Sequence, residues 1–369
     1  MYDYGVLNMR KICLFYLLWL VSVTAGAVEV RELYHVEVPV ADQSDVARTD
    51  VIKQAMAQML TRITGRTKVA DDPAAAAILE QAGSYIQQYR YINVEGATPQ
   101  SGTTDTAGHQ GLLQLQVSFD EHALNKALRQ AGLPVWGRTR PAVLALFAVE
   151  TPRGRVLLDA ASVTHWGATL HDVAAQRGIP LIFPVMDPED QGRINLTDVW
   201  GNFTDLLLEA GKRYHPDALL VGKLYALDAG QWRSQWYLTH AGKTDEWVFE
   251  AADESQALDV GLNAVADRLA ERYALVFNDA VRGSVRLRVQ GIRDLPAYVR
   301  VLNYLQTLEV VERAQVVLME PDQVVWQLQI HGEADGLQRL IALGDVLKKG
   351  AATTGKIDPG AGLVYQLQP

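Results

Sequence analysis

The sequence has little of what most catalytic and metal-binding sites require. Cys13 is the only cysteine in 369 residues, so the rest of the chain cannot form a disulfide, a thiolate metal site or a cysteine nucleophile. No G-x-S-x-G elbow occurs, and Gly242-Lys243-Thr244 lacks the upstream glycine of a phosphate-binding loop. We therefore predict no catalytic residues, no cofactor and no metal site.

Basic charge is also scarce. The chain has 34 lysines and arginines against 43 aspartates and glutamates, a formal net charge of −9. No basic stripe is present, although binding to the phosphates of nucleic acid or to an anionic lipid surface would need one. We expect no nucleic-acid partner.

Long apolar stretches are absent after the N-terminus. Residues 9–27 read MRKICLFYLLWLVSVTAGA, with Arg10 and Lys11 before an apolar run and small residues after it. That pattern is typical of a cleaved secretory signal, and the run is short for a membrane span. We predict a signal peptide over residues 1–27, cleavage between Ala27 and Val28, and a periplasmic protein without a membrane span. An uncut N-terminal anchor is the alternative.

The remaining residues divide into three predicted modules. Residues 28–137 predict an α+β module, with a strand at Leu33–Val40 and a long amphipathic helix that ends before Gly65. A polar loop over residues 96–111 separates two further strands, which we expect to form a hairpin.

The second predicted module, residues 138–280, has the element order βαβαβββα. Buried strands alternate with amphipathic helices up to the strand DALLVGKLYAL, which predicts parallel pairing. Two strands with Trp-rich alternation then extend the sheet antiparallel, and a helix covers it. The whole is a mixed-sheet α/β module.

The third predicted module, residues 281–369, has the order βαββαβ. The strand SVRLRVQ alternates apolar and polar residues, a helix follows Asp294, and two strands meet at Pro321-Asp322. This order matches the ferredoxin-like pattern, which supports many unrelated functions.

Several of these segments also carry a resemblance. The stretches VPVADQSDVART, VIKQAMAQMLTRITGR, SYIQQYRY and LQVSFDEHALNKALRQAGLPVWGRTRPAVLALFAVE resemble a family of Gram-negative periplasmic proteins, the domain of unknown function 2066 family. The resemblance implies an exported proteobacterial protein without assigned activity, and it brings no catalytic residues.

Three functions remain open from the sequence. The first is a non-enzymatic interaction or adaptor module of the cell envelope that binds envelope proteins, and it predicts an exposed apolar or aromatic patch. The polar face of the long helix and the tyrosine-rich strand supply its candidate contact residues: Arg48, Lys53, Arg62, Tyr85, Tyr89 and Tyr91.

The second function is binding of a small ligand or glycan. It predicts a pocket at the carboxyl ends of the parallel strands of the second module, with Asp187, Lys223 and Tyr225 as candidates. The third is an enzyme, such as a hydrolase, with a site built from residues scattered along the chain.

Overall fold

A computed structural model describes residues 28–30, 32–95, 111–158, 163–227, 230–276, 282–350 and 362–368. In these ranges the chain is a mixed α/β protein with several sheets and ten α-helices. The predicted signal peptide and almost all of the predicted polar loop lie outside the described residues. Within them, no helix is long and apolar enough to cross a membrane.

The N-terminal part is a three-stranded antiparallel sheet with order β2-β4-β3, packed on a long helix. Its elements are β1 (Val28–Glu29), β2 (His35–Pro39), α1 (Asp45–Thr64), α2 (Pro73–Glu80), β3 (Ile86–Glu95), β4 (Gly111–Phe119), α3 (Glu121–Gln130) and β5 (Pro134–Val135). The Ser44 hydroxyl caps α1 by accepting from the Ala47 amide at 3.3 Å. Gly65 ends the helix in the left-handed region at φ 69°.

The middle part is built on a six-stranded mixed sheet. Its elements are β6 (Thr139–Arg140), β7 (Val143–Thr151), β8 (Gly154–Leu158), α4 (Val163–Arg177), β9 (Leu181–Ile182), α5 (Pro188–Gln191), α6 (Leu196–Gly201), α7 (Thr204–Gly211), β10 (Ala218–Ala226), β11 (Trp232–His240), β12 (Lys243–Ala251), α8 (Glu254–Tyr273) and β13 (Leu275–Val276). The order is β12-β11-β10-β7-β8, and β9 pairs with the start of β7. Strand β10 is parallel to β7, whereas β11 and β12 are antiparallel, as the sequence predicts.

Two details of this sheet differ from the expected order. Strand β8 is an additional strand, which turns back on β7 at Gly154 and pairs antiparallel with it. Strand β9 has two residues, because Pro184 interrupts the predicted strand LIFPVM and offers no amide hydrogen to a ladder.

The C-terminal part is a five-stranded sheet with order β15-β16-β14-β18-β17. Its elements are β14 (Arg282–Gln290), α9 (Leu295–Thr307), β15 (Val311–Glu320), β16 (Gln323–His331), α10 (Ala334–Leu343), β17 (Leu347–Lys349) and β18 (Leu363–Leu367). The predicted order lacks β17, which pairs antiparallel with β18. Its three residues include two exposed lysines and carry no alternating apolar pattern.

The three parts are packed together rather than joined by linkers. Buried apolar residues from the N-terminal and C-terminal parts form one continuous cluster, and two other clusters fill the two faces of the middle sheet. Two short sheets, β1–β6 and β5–β13, also join the N-terminal and middle parts.

A cluster of buried arginines lies where the N-terminal part meets the middle part. The guanidinium of Arg140 is fully buried, stacks 4.1 Å from the Trp136 ring centre and donates five hydrogen bonds to backbone carbonyls. Arg177 bonds the Gly65 carbonyl at 2.7 Å and the Asp267 carboxylate at 2.5 Å. These bonds connect the end of α1 to helices α4 and α8.

Glu309 links the C-terminal part to the same region. Its carboxylate accepts the Arg138 amide at 2.8 Å. Gly137 makes room for it, because an added Cβ there would lie 2.0 Å from the carboxyl group. Burial raises the pKa of Glu309 above its ordinary value.

This raised pKa predicts a pH dependence of stability. A carboxyl group whose folded-state pKa exceeds its unfolded value binds its proton more tightly in the folded state. The contribution of Glu309 to the free energy of unfolding is therefore most favourable below its unfolded-state pKa, near 4.5. That contribution is lost as the pH rises through its folded-state pKa. We expect Glu309→Gln to gain stability relative to wild type as the pH rises from 4 to 8, measured by urea unfolding. Glu80→Gln, at an exposed position of α2, is the control, and its free energy of unfolding should change with pH as that of wild type does. If the free energy of unfolding of Glu309→Gln also changes with pH as that of wild type does, the proposed burial effect is wrong.

Candidate interaction surfaces

Strand β15 forms an exposed apolar edge of the C-terminal sheet. Among the described strands it pairs only with β16, so its other side presents backbone amides and carbonyls without a ladder partner. Four consecutive residues of this strand expose apolar side chains: Val316 (39%), Val317 (52%), Leu318 (44%) and Met319 (62%). We call these four residues the β15 surface.

A bulge lies within the β15 surface. The register of β15 against β16 shifts between Val316 and Leu318, so Val317 is the extra residue. The strand has no fully buried residue, and Gln315 to Glu320 are exposed on both sides of the bulge. Helix α9 packs against β15 and exposes two more apolar residues one turn apart, Leu295 and Val299.

The exposed β15 residues are unusual for a strand edge. Proteins ordinarily protect edge strands with charges, prolines, bulges or covering loops, because an open apolar edge invites pairing with another chain. Of these devices, β15 has the bulge at Val317. The VVLM run at 316–319 carries no charge and no proline. Sequence reasoning predicted this strand but missed its exposure. The available signal was four apolar residues in succession, where an edge with one solvated face should alternate.

Three of the predicted partner-binding residues come together at the rim of α1 and β3. The Arg48 guanidinium carbon lies 5.7 Å from the Tyr89 ring centre, and the rings of Tyr89 and Tyr91 meet edge to face at 6.2 Å. Tyr89 is about half exposed. Lys53 is exposed on α1 without a contact to this group, and Tyr85 packs its ring against the core.

Arg62, also a predicted contact residue, is directed inward. Its guanidinium donates to the carbonyls of His35, at 2.6 Å, and Gln176, at 3.1 Å. Burial lowers the pKa of Arg62 to about 10. Its donors bind the protein's own backbone at the junction of the parts, so Arg62 does not belong to an exposed surface.

Two of the predicted pocket residues share one face of β10. Positions two apart on a strand point to the same side of the sheet, so the side chains of Lys223 and Tyr225 share one face. The residues between them belong to the opposite face, which a helix covers. Lys223 is 8% exposed, and its ammonium lies 4.7 Å from the Tyr237 ring centre. Among the described residues no acceptor forms a hydrogen bond or ion pair with it. Burial lowers the pKa of Lys223.

Further aromatic contacts involve Tyr225, which shares the face of Lys223. The ring of Tyr225 lies 6.2 Å from that of Trp200, and burial raises the pKa of Tyr237 to about 12. The Arg155 guanidinium stacks 4.0 Å from the Trp200 ring centre. Glu246 is the carboxylate whose charge acts on the Lys223 ammonium, but it forms no described hydrogen bond or ion pair with it. An ammonium beside an aromatic ring that keeps its donors free is able to bind an anionic group.

Asp187, the third predicted pocket residue, belongs to a different cluster. It caps helix α5, and its carboxylate binds the Arg213 guanidinium through both oxygens at 2.8 and 2.9 Å. Bonding to Arg213 lowers the pKa of Asp187 to about 2. Its oxygens are already occupied, so it does not complete a site with Lys223.

No metal centre is assembled in the described part of the chain: no group of three or more His, Cys, Asp or Glu side chains there is placed to hold a metal ion.

Comparison with known families corrects the resemblance drawn from the sequence. Residues 27–137 match the family described as Domain of unknown function (DUF8605). The resemblance to the domain of unknown function 2066 family is therefore wrong. The resemblance was based largely on amphipathic helix patterns such as VIKQAMAQMLTRITGR. Such patterns arise wherever a helix packs one face against a core, so they also occur in unrelated proteins. No curated protein matches the chain.

Proposed function

We propose that this protein is a non-enzymatic interaction module, an adaptor of the Gram-negative cell envelope, and that it binds a protein partner through β15. In this proposal the chain is exported to the periplasm and has three modules: an α+β module (28–137), a mixed-sheet module (138–280) and a ferredoxin-like module (281–369). The observation that carries the proposal is the β15 surface, an uncharged apolar run on an open sheet edge.

An open edge binds an extended strand by a known physical route. The added strand satisfies the free backbone groups of the edge, and side-chain contacts supply the specificity. The β15 surface provides both, since the backbone of β15 is free on one side and its apolar side chains lose contact with water on binding. The group of Arg48, Tyr89 and Tyr91 is a smaller and more polar second contact.

Crosslinking in cells tests this function with a matched pair of variants. Val317 and Val248 are each 52% exposed on an edge strand, β15 and β12 respectively. We expect tagged wild type and Val248→Asp to crosslink to the same protein, identified by mass spectrometry, and Val317→Asp to lose it. Equal capture by both variants, or no captured protein at all, would contradict the proposal.

A second candidate function is the binding of a small anionic ligand at Lys223, as part of the small-ligand or glycan hypothesis. The buried ammonium without a described acceptor favours it. A buried ammonium whose donors make no described hydrogen bond costs stability, and a binding site is one reason for a protein to keep it.

Lys223→Met separates a binding role from a structural one. Because methionine fills the same space without a buried charge, we expect its free energy of unfolding to equal wild type or exceed it by up to about 2 kcal/mol. Small carboxylates and phosphates screened by thermal shift should stabilise wild type but not this variant. Lys243→Met, at an exposed lysine of β12, is the control and should keep any shift. A destabilised Lys223→Met, or a shift that it retains, would contradict the site.

A further inference from the structure

We propose that β15 pairs with β15 of a second copy of this chain, so that two C-terminal sheets join into one continuous sheet across a two-fold axis. This inference rests on the proposed function, because it names the strand that the open edge accepts. The residues at the two ends of β15 and the position of its bulge lead to it.

Arg313 and Glu320 lie on the same face of β15. Arg313 is opposite Gln329 of β16, and Glu320 is opposite Gln323. Gln329 and Gln323 both lie on one face of β16. The opposite face of β16 carries its buried residues Val324, Trp326, Leu328 and Ile330. Residues seven apart in a regular strand point to opposite faces, so the bulge at Val317 is what brings these two charges to one face.

This arrangement makes the strand complementary to itself. In an antiparallel pair with Arg313 opposite Glu320 of the second copy, Glu320 is also opposite Arg313 of the second copy. Oppositely charged cross-strand pairs then lie at both ends of the interface. Between them, Ala314 is opposite Met319, Gln315 is opposite Leu318, and the two central valines face each other.

The two neighbouring registers are both less favourable. A shift of one residue in one direction places Glu312 opposite Glu320 at both ends, and like charges directly opposite each other are destabilising. A shift in the other direction places Ala314 opposite Glu320, so both Arg313–Glu320 pairs are lost. The matched register also covers the whole β15 surface symmetrically, as an isologous two-fold interface requires. Among the described residues no carboxylate forms an ion pair with Arg313, so its charge is available to the second copy.

Charge reversal tests the register on the full chain. The dimer dissociation constant is measured by analytical ultracentrifugation. We expect Arg313→Glu and Glu320→Arg each to weaken the dimer about tenfold or more, because each creates like charges at two places. The double variant Arg313→Glu/Glu320→Arg restores opposite charges and should return to within about threefold of wild type. A double variant as weak as the single ones overturns the proposed register.

Single cysteines give a second readout. Because residues 28–369 contain no cysteine, Val317→Cys should form a disulfide-linked or maleimide-linked dimer, whereas Val248→Cys should not. A dimer that also links through Val248→Cys, or that survives Val317→Asp, overturns the interface.

The two proposals fail in different ways. If wild type is a monomer at every concentration but Val317→Asp loses a different captured protein, self-pairing is overturned and the proposed function stands. If wild type neither dimerises nor captures a protein, both are overturned.

Discussion

Replacing Arg140 by methionine should lower the free energy of unfolding by about 4 kcal/mol. Each buried carbonyl left without a hydrogen-bond donor costs about 1–3 kcal/mol. The total is smaller than the sum over the carbonyls, because losses at neighbouring groups are not fully additive. Arg140 has no exposed surface, and its guanidinium donates hydrogen bonds to five backbone carbonyls. They belong to Arg62, Trp136, Gly137, Arg177 and Gly178. Burial lowers the pKa of Arg140 to about 9, so it remains charged at pH 7 and its five bonds are charge-assisted.

Urea unfolding followed by circular dichroism measures this effect. Arg153→Met is the matched control, because Arg153 is exposed in the turn between β7 and β8, and we expect a change within about 0.5 kcal/mol. Arg140→Lys keeps a charge but cannot reach five carbonyls, so it should behave like the methionine variant. An Arg140→Met variant as stable as Arg153→Met would show that the cluster does not hold the parts together.

Gly65→Ala is the second substitution with a large expected effect. Gly65 has a φ of 69°, which costs an alanine about 1–2 kcal/mol. An added Cβ would also lie 2.1 Å from the Cβ of Ala270 in α8, and overpacking of this kind costs about 1–3 kcal/mol. We therefore expect a loss of about 4 kcal/mol in all.

Gly132→Ala separates the two contributions. Gly132 follows helix α3 with a φ of 68°, and an added Cβ there would meet nothing within 4 Å. We expect it to lose only the conformational part, about 1–2 kcal/mol. Equal losses in the two variants would mean that the close approach of α1 to α8 is not a packing constraint.

Local elements were the part of the fold that the sequence predicted well. Helix α1, its end at Gly65 and strands β7, β10, β11 and β12 of the middle sheet follow from periodicity and turn residues, which act over a few positions. Strands β8 and β17 were missed because a short hairpin strand and a three-residue edge strand carry too few alternating residues.

Side-chain environments could be predicted only where they depend on local geometry. The shared face of Lys223 and Tyr225 follows from their spacing on one strand. The inward direction of Arg62 does not, because its acceptors His35 and Gln176 are 27 and 114 residues away in sequence. The exposure of β15 depends on its position at the edge of the sheet, which the apolar pattern within the strand does not specify.

A photo-crosslinking amino acid incorporated in living cells tests the central claim, that β15 is the binding edge. Position 319 is compared with position 185, since Met319 and Val185 are similarly exposed, at 62% and 65%. Adducts to a protein, whether a second copy or another chain, should form from position 319 and not from position 185. Adducts of equal yield from both positions, or none from position 319, would contradict the claim.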